Sequence, residues 1–483
     1  MATIPEALKT AIQLQQQGHL SQAEQIYRQV LQQQPHHAQA LHLLGLLGLQ
    51  VGKYEIAIEY ISKAIEANPS NSAFHNNLGV VFKKVGTVEE AIVCYQKALE
   101  LNPKDASCHY NLGNLFRQRE QLEEATVCYQ EAVAIQPEYF EAHNNLGLAL
   151  RDRGQLVGAI TCFQKALAIN SNYAEAHLNW ALMLLLFGDF RRGFAEHEWR
   201  WQMNDIQPRP FTQPLWDGSN LEGRTILLHA EQGLGDTIQF IRYAPIVAGY
   251  GGRVLVECYA PLIQLFKSIP GIEQLLVIGE TLPEFDVHAP LMSLPYILGT
   301  TLETVPAHIP YLSPPIPLIE LEVFPQVQLK VGIVWSTKPT HPTAGRRSYP
   351  PSYLLKLQNI PGIALYSLQK DPPLADIEQL RKTPKVQDLS DQLHDFTDTA
   401  SVISQLDLVI TVDTAIAHLA GALGKKVWVL LPFIPDWRWM LGHQDSIWYP
   451  TMRLFRQESP GDWAGVFRRV AEALDNYLDL TVC

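Results

Sequence analysis

Apolar and small residues return along the first two-fifths of the chain at a constant interval of 34 positions and then stop. Leu44-Gly45, Leu78-Gly79, Leu112-Gly113 and Leu146-Gly147 mark one phase of the pattern. Ala57, Ala91, Ala125 and Ala159 mark a second, and Pro35, Pro69, Pro103 and Pro137 a third. A period of this size with fixed small, aromatic and Pro offsets predicts pairs of antiparallel helices stacked into a solenoid. Small residues such as Gly79 and Ala91 let the paired helices approach, Tyr95 and Ala98 fill the seam between neighbours, and Pro103 ends the second helix. Gly18, Gly52, Gly86, Gly154 and Gly188 supply the backbone freedom of the corner, with Glu120 the one exception.

These residues resemble the tetratricopeptide (TPR) repeat. The resemblance implies about six units, near 4–37, 38–71, 72–105, 106–139, 140–173 and 174–207, so that residues 1–207 form a TPR solenoid. The last unit loses the pattern, with Ser171 and Gly193 where Pro and Ala are expected. Asn77, Asn111, Asn145 and Asn179 share one position on the first, inner helix of their units. Such a carboxamide ladder suits the backbone of an extended peptide, and it equally suits tying one repeat to the next. The ladder is similar to that of protein O-GlcNAc transferases. Cys94, Cys128 and Cys162 also repeat, but equivalent positions on stacked units lie about 10 Å apart, too far to share an ion. They are expected as core residues, with no metal site.

After Trp201 the period fails. Pro208, Pro210 and Pro214 with Trp216 predict a stiff linker over 208–224. Strand-like runs then alternate with helical ones: TILLHA, RVLVECY, LLVIG, VGIVW, IALYSLQ, LDLVITV and KVWVLLP. This alternation predicts parallel sheets with crossover helices, and a Pro-rich joint at Pro314, Pro315, Pro317 and Pro325 divides the region. The expected architecture is therefore an α-solenoid followed by α/β, with two Rossmann-like lobes at 225–315 and 316–483, the first one trimmed. Ligands bind such folds at the carboxyl ends of strands.

Two junctions of that kind stand out, Gln232-Gly233-Leu234-Gly235-Asp236-Thr237 and Val412-Asp413-Thr414-Ala415, each opening a helix. Gly233 and Gly235 permit close approach of a phosphate, and Asp236 is placed either to take a proton from an acceptor hydroxyl or to cap the helix. Arg346, Arg347 and Lys338 lie in a loop after VGIVW and offer cations to a leaving diphosphate. Lys370 follows IALYSLQ, where a base or ribose would sit. The segment PFIPDWRWMLGHQDSIWYPTMRLFRQESPGDW carries Asp436, Arg438 and Asp445 with Trp437, Trp439 and Trp448, which serve either to stack on a ligand or to seal a junction. The stretch from Trp463 to Leu478 predicts an amphipathic helix packed on the sheet.

The segments GLGDTIQFIRYAPIV, VGIVWS with Arg346-Arg347-Ser348-Tyr349-Pro350, and VDTAIAHLAGALGKKVWVLLP resemble glycosyltransferase family 9, the ADP-heptose transferases, over roughly Thr225 to Cys483. The resemblance implies a GT-B fold and inversion at the anomeric carbon without an essential metal or cofactor. It also implies Asp236 as base, Arg347 near the donor phosphates, Asp413, Thr414 and His418 in the donor motif, and the amides of Thr414 and Ala415 on the pyrophosphate. Ala415 stands where the family carries glycine. The order of parts is similar to O-GlcNAc transferase, which implies a sugar moved from a UDP- or ADP-linked donor to a protein held by the repeats. The competing reading is a non-enzymatic adaptor with a degenerate transferase-like domain.

Composition narrows these expectations. The chain is 483 residues long, 47% hydrophobic and 18% charged, and its net charge of −12 argues against a nucleic-acid partner. No basic stretch precedes an apolar core at the N-terminus, and the apolar runs at Leu41–Leu49 and Ala181–Phe187 are too short to span a bilayer. A soluble cytoplasmic protein is expected, with a peptide and a nucleotide sugar as partners and homodimerisation through exposed helix faces left open.

Overall fold

The computed structural model describes residues 3–203, 206, 208–313, 316, 319–338, 340 and 344–481. Two compact units divide the chain, Met1–Ala176 and His177–Cys483.

The first unit is a run of helical pairs: α1 (Ile4–Gln16) with α2 (Leu20–Gln33), α3 (Ala38–Gln50) with α4 (Tyr54–Ala67), and α5 (Ser72–Val85) with α6 (Val88–Leu101). The pairs α7 (Ala106–Gln118) with α8 (Leu122–Ile135) and α9 (Phe140–Asp152) with α10 (Leu156–Ile169) continue it. First helices of successive pairs touch, α1 on α3, α3 on α5 and α7 on α9, and each second helix packs on the next first helix. The recurring glycines have a direct steric reason. A Cβ on Gly79 would stand 2.7 Å from the Tyr95 ring, one on Gly113 2.8 Å from Tyr129, and one on Gly147 2.5 Å from Phe163. Ala57, Ala91, Ala125 and Ala159 are fully buried in the same seams.

The corner glycines adopt left-handed φ, from 74° at Gly52 to 92° at Gly86. Glu120 follows them at φ 59°, so the corner geometry holds even where its residue does not favour it. A further periodic contact joins each pair to its predecessor: the Nε2 of His75, His109 and His143 donates to the carbonyl of Pro69, Pro103 and Pro137 at 2.9–3.0 Å.

α11 (Ala174–Leu186) crosses the division, and α12 (Phe190–His197) belongs to the second unit. The repeat pattern read to residue 207 thus outlasts the first compact unit by one helical pair. Gly193, in place of the recurrent alanine, accommodates Leu185, whose Cγ would meet an added Cβ at 2.6 Å.

Among the described residues the second unit holds two all-parallel sheets. One comprises β1 (Thr225–His229), β2 (Arg253–Cys258), β3 (Ile272–Val277) and β4 (Val287–Pro290) in the order β3-β2-β1-β4. The other comprises β5 (Leu329–Val334), β6 (Ile363–Ser367), β7 (Val386–Asp388), β8 (Leu408–Val412), β9 (Val427–Leu431) and β10 (Met452–Arg456) in the order β10-β9-β8-β5-β6-β7. β1, β5, β8 and β9 are apolar and buried on both faces, with Leu227, Val331, Ile410 and Val429 among the enclosed residues, as parallel strands require. Sequence patterning does not reveal β4, β7 and β10: the first two are short, and β10 lies in the aromatic stretch read for stacking.

The expected linker is structural. Phe211 packs on His229, Phe285 and His288, Arg209 pairs with the fully buried Glu257 at 2.9 Å, and Trp216 is 1% exposed. Residues 208–224 therefore cover the first sheet instead of hanging free of it. Of the Pro-rich joint, Pro314, Pro315 and Pro317 lie outside the described residues. The terminal helix runs Trp463–Thr481, with Val466, Val470 and Leu474 buried.

Candidate functional site

The carboxyl ends of β1, β5, β8 and β9 each deliver a charged side chain to one place. The turn after β1 leads into the helix Leu234–Phe240, where the Asp236 Oδ2 accepts from the Gly233 amide at 3.0 Å and its Oδ1 lies 2.5 Å from Arg438 Nη2. Arg438, in the segment after β9, also reaches Asp436 Oδ1 at 2.9 Å and Gln239 Oε1 at 2.6 Å. Asp436 Oδ2 lies 3.6 Å from Arg347 Nη2, and Arg347 Nη1 lies 3.0 Å from Asp413 Oδ2. The second contact is an ion pair without good hydrogen-bond alignment, since Asp413 Oδ2 has no directed donor.

The result is a chain of alternating charge, Asp236–Arg438–Asp436–Arg347–Asp413, that joins the two sheets. Three carboxylates face two guanidiniums, so the chain is one cation short of neutrality. Burial pushes the Asp413 carboxyl above its ordinary pKa despite Arg347. Burial acts on Asp436 in the same sense, but Arg438 and Arg347 together outweigh it and hold that carboxyl below the usual range. Asp413 is thus the place where a proton is gained most readily when its partner is taken away.

The residues expected at the site divide. Asp236, Arg347 and Asp413 converge. Arg346 is partly exposed beside Arg347 in the short helix Ala344–Arg347, and Lys338 is exposed on the same loop, whose residues 339 and 341–343 lie outside the described set. Thr414 and Ala415 open the helix Ala415–Ala422 and are partly exposed, with Thr414 Oγ1 3.2 Å from Thr411 Oγ1. Lys370 is half exposed, 3.8 Å from Asp371, and takes no part in the charge chain.

Two expectations need correcting in their physical basis. The missing side chain of Gly235 serves the contact between the two helix starts: a Cβ there would stand 3.2 Å from the His418 ring and 3.3 Å from Ala415 Cα. His418 is taken up in packing as well. It is 4% exposed, its Nδ1 lies 3.0 Å from the Tyr449 hydroxyl, its ring stacks on Trp439, and burial lowers its pKa to about 3. A neutral, enclosed imidazole packs the core and does not meet an anion.

Charged groups that sequence reasoning passed over surround this chain. Arg200 is fully buried and grips Glu231 bidentately at 2.8 and 2.9 Å, with Glu198 Oε1 at 2.6 Å and Ser293 Oγ at 2.7 Å. Glu231 and Asp236 flank the same turn. Arg242, also buried, donates to the Trp448 carbonyl at 2.7 Å and to Tyr311. The strand-end rule that singled out Asp236 and Asp413 applies equally to Asp436 and Arg438, which end the segment after KVWVLLP. Trp437 and Trp448 pack on Phe190 and Phe194 of α12, the sealing use of these aromatics.

In the first unit the asparagine ladder is engaged with neighbouring repeats. Asn77 Nδ2 lies 2.8 Å from His42 Nε2, and Asn145 Nδ2 donates to Asn114 Oδ1 at 2.8 Å and Tyr110 hydroxyl at 3.2 Å. Asn111 is partly buried at the equivalent place, and Asn179 lies in the second unit. Of the three recurring cysteines, Cys128 and Cys162 are buried free thiols and Cys94 is only half-buried; Cys108 is buried as well, and burial raises it to about 12. Among the described residues no group of His, Cys, Asp and Glu is placed to hold a metal ion, and no helix is long and apolar enough to cross a membrane.

Two family models match the repeats, and a relative and two solved structures are similar to parts of this chain. Protein FlbA of Caulobacter vibrioides is 25% identical over 333 residues, which cover 62% of this chain and 54% of FlbA, so the chain spans about half the length of the curated relative it matches. The crystal structure of MamA aligns at 25% identity over 34% of this chain and 96% of its own, with a TM-score of 0.32. A thermophilic TPR protein of Thermus thermophilus aligns at 20% identity over 38% of this chain and 100% of its own, also with a TM-score of 0.32. Residues 8–72 match the family model described as tetratricopeptide repeat, and 84–116, 113–150 and 147–185 match that described as TPR repeat. The N-terminal region of this chain is therefore built of tetratricopeptide repeats.

Proposed function

We propose that the chain is a glycosyltransferase whose repeats recognise a protein acceptor and whose second unit moves a sugar to it from a nucleotide-sugar donor. The observation that carries this reading is the chain Asp236–Arg438–Asp436–Arg347–Asp413 at the carboxyl ends of strands from two parallel sheets, the place where α/β folds bind their ligands. The resemblance of the segments around these residues to family 9 supplies the reaction class, and with it the expectation of GT-B lobes.

In this reading the donor diphosphate takes Arg347 from Asp413, with Arg346 and Lys338 adding charge and the Thr414 and Ala415 amides adding donors. Asp413, already raised in pKa, accepts a proton as its partner leaves. An acceptor hydroxyl attacks the anomeric carbon, and Asp236 takes its proton once Arg438 turns to Asp436. The new C–O bond forms as the bond to the β-phosphate breaks, the nucleoside diphosphate leaves with the electron pair, and the anomeric centre inverts. Covalent linkage to the repeats raises the acceptor's effective concentration. UDP- and ADP-linked sugars are the donors to try first.

A second reading, a non-enzymatic adaptor, is favoured by one fact: Asp236 is already bound by Arg438. Calorimetric titration with UDP, ADP, GDP and their sugar conjugates separates the two. The transferase reading expects saturable binding of one nucleotide, weakened by Arg347→Ala, and transfer lost in Asp236→Asn with binding retained. Binding of none of them makes the adaptor the better account.

A further inference from the structure

The inner helices of the first unit carry a second 34-residue series beside the asparagines: Lys83 on α5, Arg117 on α7 and Arg151 on α9. A neighbouring series two positions on has a structural purpose. Arg119 pairs with Glu89 at 3.4 Å and Arg153 with Glu123 at 3.2 Å, each stitching a corner to the preceding repeat. The first series is used differently. Among the described residues neither Lys83 nor Arg117 pairs with a carboxylate, and Arg151 pairs with its own neighbour Asp152 at 2.9 Å.

Lys83 is open to solvent yet crowded by the walls around it, which together with Lys84 lower its pKa. Arg117 lies against the Tyr129 hydroxyl, and its Nε is buried with no acceptor. Guanidinium donors withdrawn from water without a partner are costly, and a carboxylate is the group whose geometry satisfies them. The hydroxyl and amide groups of Tyr110, Asn114 and Asn145 lie on the same inner helices and supply neutral hydrogen-bonding groups beside the cations.

We propose that the row Lys83, Arg117 and Arg151 holds the acidic side chains of an extended protein segment laid across the first helices. The proposal rests on reading the repeats as a protein-binding unit and names the chemistry of the partner. Successive repeats are about 10 Å apart, and an extended chain of polyproline-II type advances about 3.1 Å per residue with three residues per turn, so a carboxylate at roughly every third residue presents one to each repeat on the same edge. A peptide fits better than a nucleic acid because the amide and hydroxyl groups of Tyr110, Asn114 and Asn145 beside the cations suit a peptide backbone.

The test uses the full chain and fluorescence anisotropy with three probes: a ten-residue peptide with Glu at every third position, the same peptide with Gln for Glu, and an oligouridine of equal length. The Glu peptide is expected to bind in a salt-sensitive manner, roughly tenfold or more tighter than the Gln peptide. Arg117→Gln should remove that preference, and Arg119→Gln should keep it. Should Arg117→Gln lose its helical circular dichroism, the double variant Lys83→Gln with Arg151→Gln decides instead. Equal binding of both peptides would leave the repeats a peptide site and overturn the acidic assignment. Tighter binding of oligouridine, equal effects of Arg117→Gln and Arg119→Gln, or no binding of either peptide would also overturn it.

Discussion

The two compact units solve the burial of polar groups in opposite ways. In the first, a few modest contacts are copied every 34 residues: a glycine under an aromatic ring, a histidine on a proline carbonyl, an arginine on a glutamate. In the second, each contact occurs once and joins residues far apart in the chain, such as Arg200 with Glu231 and Ser293, or Asp236 with Arg438, 202 residues away. Copied contacts divide the stability among near-equivalent neighbours. Unique buried contacts concentrate it, so that losing one partner leaves an uncompensated charge.

Acidification should expose this difference most strongly. Burial lowers His229 and His418 to about 3, and His197 in the same direction, against an ordinary 6.5. Below pH 6.5 the unfolded chain gains protons that the folded unit refuses, at about 1.4 kcal/mol per histidine per pH unit. His229 and His418 alone cost the second unit about 5 kcal/mol by pH 4.5, while Glu231 and Asp413, shifted upward, act in the opposite sense. The first unit has His42, lowered to about 4. Scanning calorimetry from pH 7 to 4.5 should show the second unit's transition falling faster, and parallel shifts of the two transitions would contradict the contrast.

Arg200→Met ranks next. It strands Glu231 and Glu198, for a loss of about 3–5 kcal/mol confined to the second unit's transition. Gly113→Ala should cost the repeats about 1–3 kcal/mol, since the methyl must displace the Tyr129 ring. Urea unfolding followed by helical circular dichroism reads this loss, and an unchanged second transition would show that the two units hold their stability separately. The smallest effect is at Glu120→Gly. Left-handed φ costs a non-glycine residue about 1–2 kcal/mol, of which the looser unfolded chain returns about 0.4–1, so a gain of at most about 1.6 kcal/mol is expected in the first transition.

The same contrast explains what could be read from the residues. The helical pairs, corners and seams of the repeats are legible because each is written several times over, and even Glu120 is placed by its phase. The parallel strands with long apolar runs are legible too. β4 and β7 are too short for a period to show, and β10 is masked by its aromatic surroundings. At the site, Asp236, Arg347 and Asp413 are legible because strand ends are where α/β chemistry gathers. Arg438 was visible only as part of a tryptophan-rich segment. Arg200 was invisible, because its partner Glu231 is 31 residues away in a different kind of structure.

The repeat, its spacing, the corner positions and the order of solenoid before parallel sheets all follow from the residues alone, since each depends on neighbours within about one period. Folding in three dimensions was needed to settle which charges meet, that Gly235 and His418 serve packing, that residues 208–224 cover a sheet, and that the first compact unit ends within α11. The difference is one of range. Backbone geometry and helix pairing are set by residues close in the chain, whereas ion pairs and desolvation depend on which distant segments share a buried space.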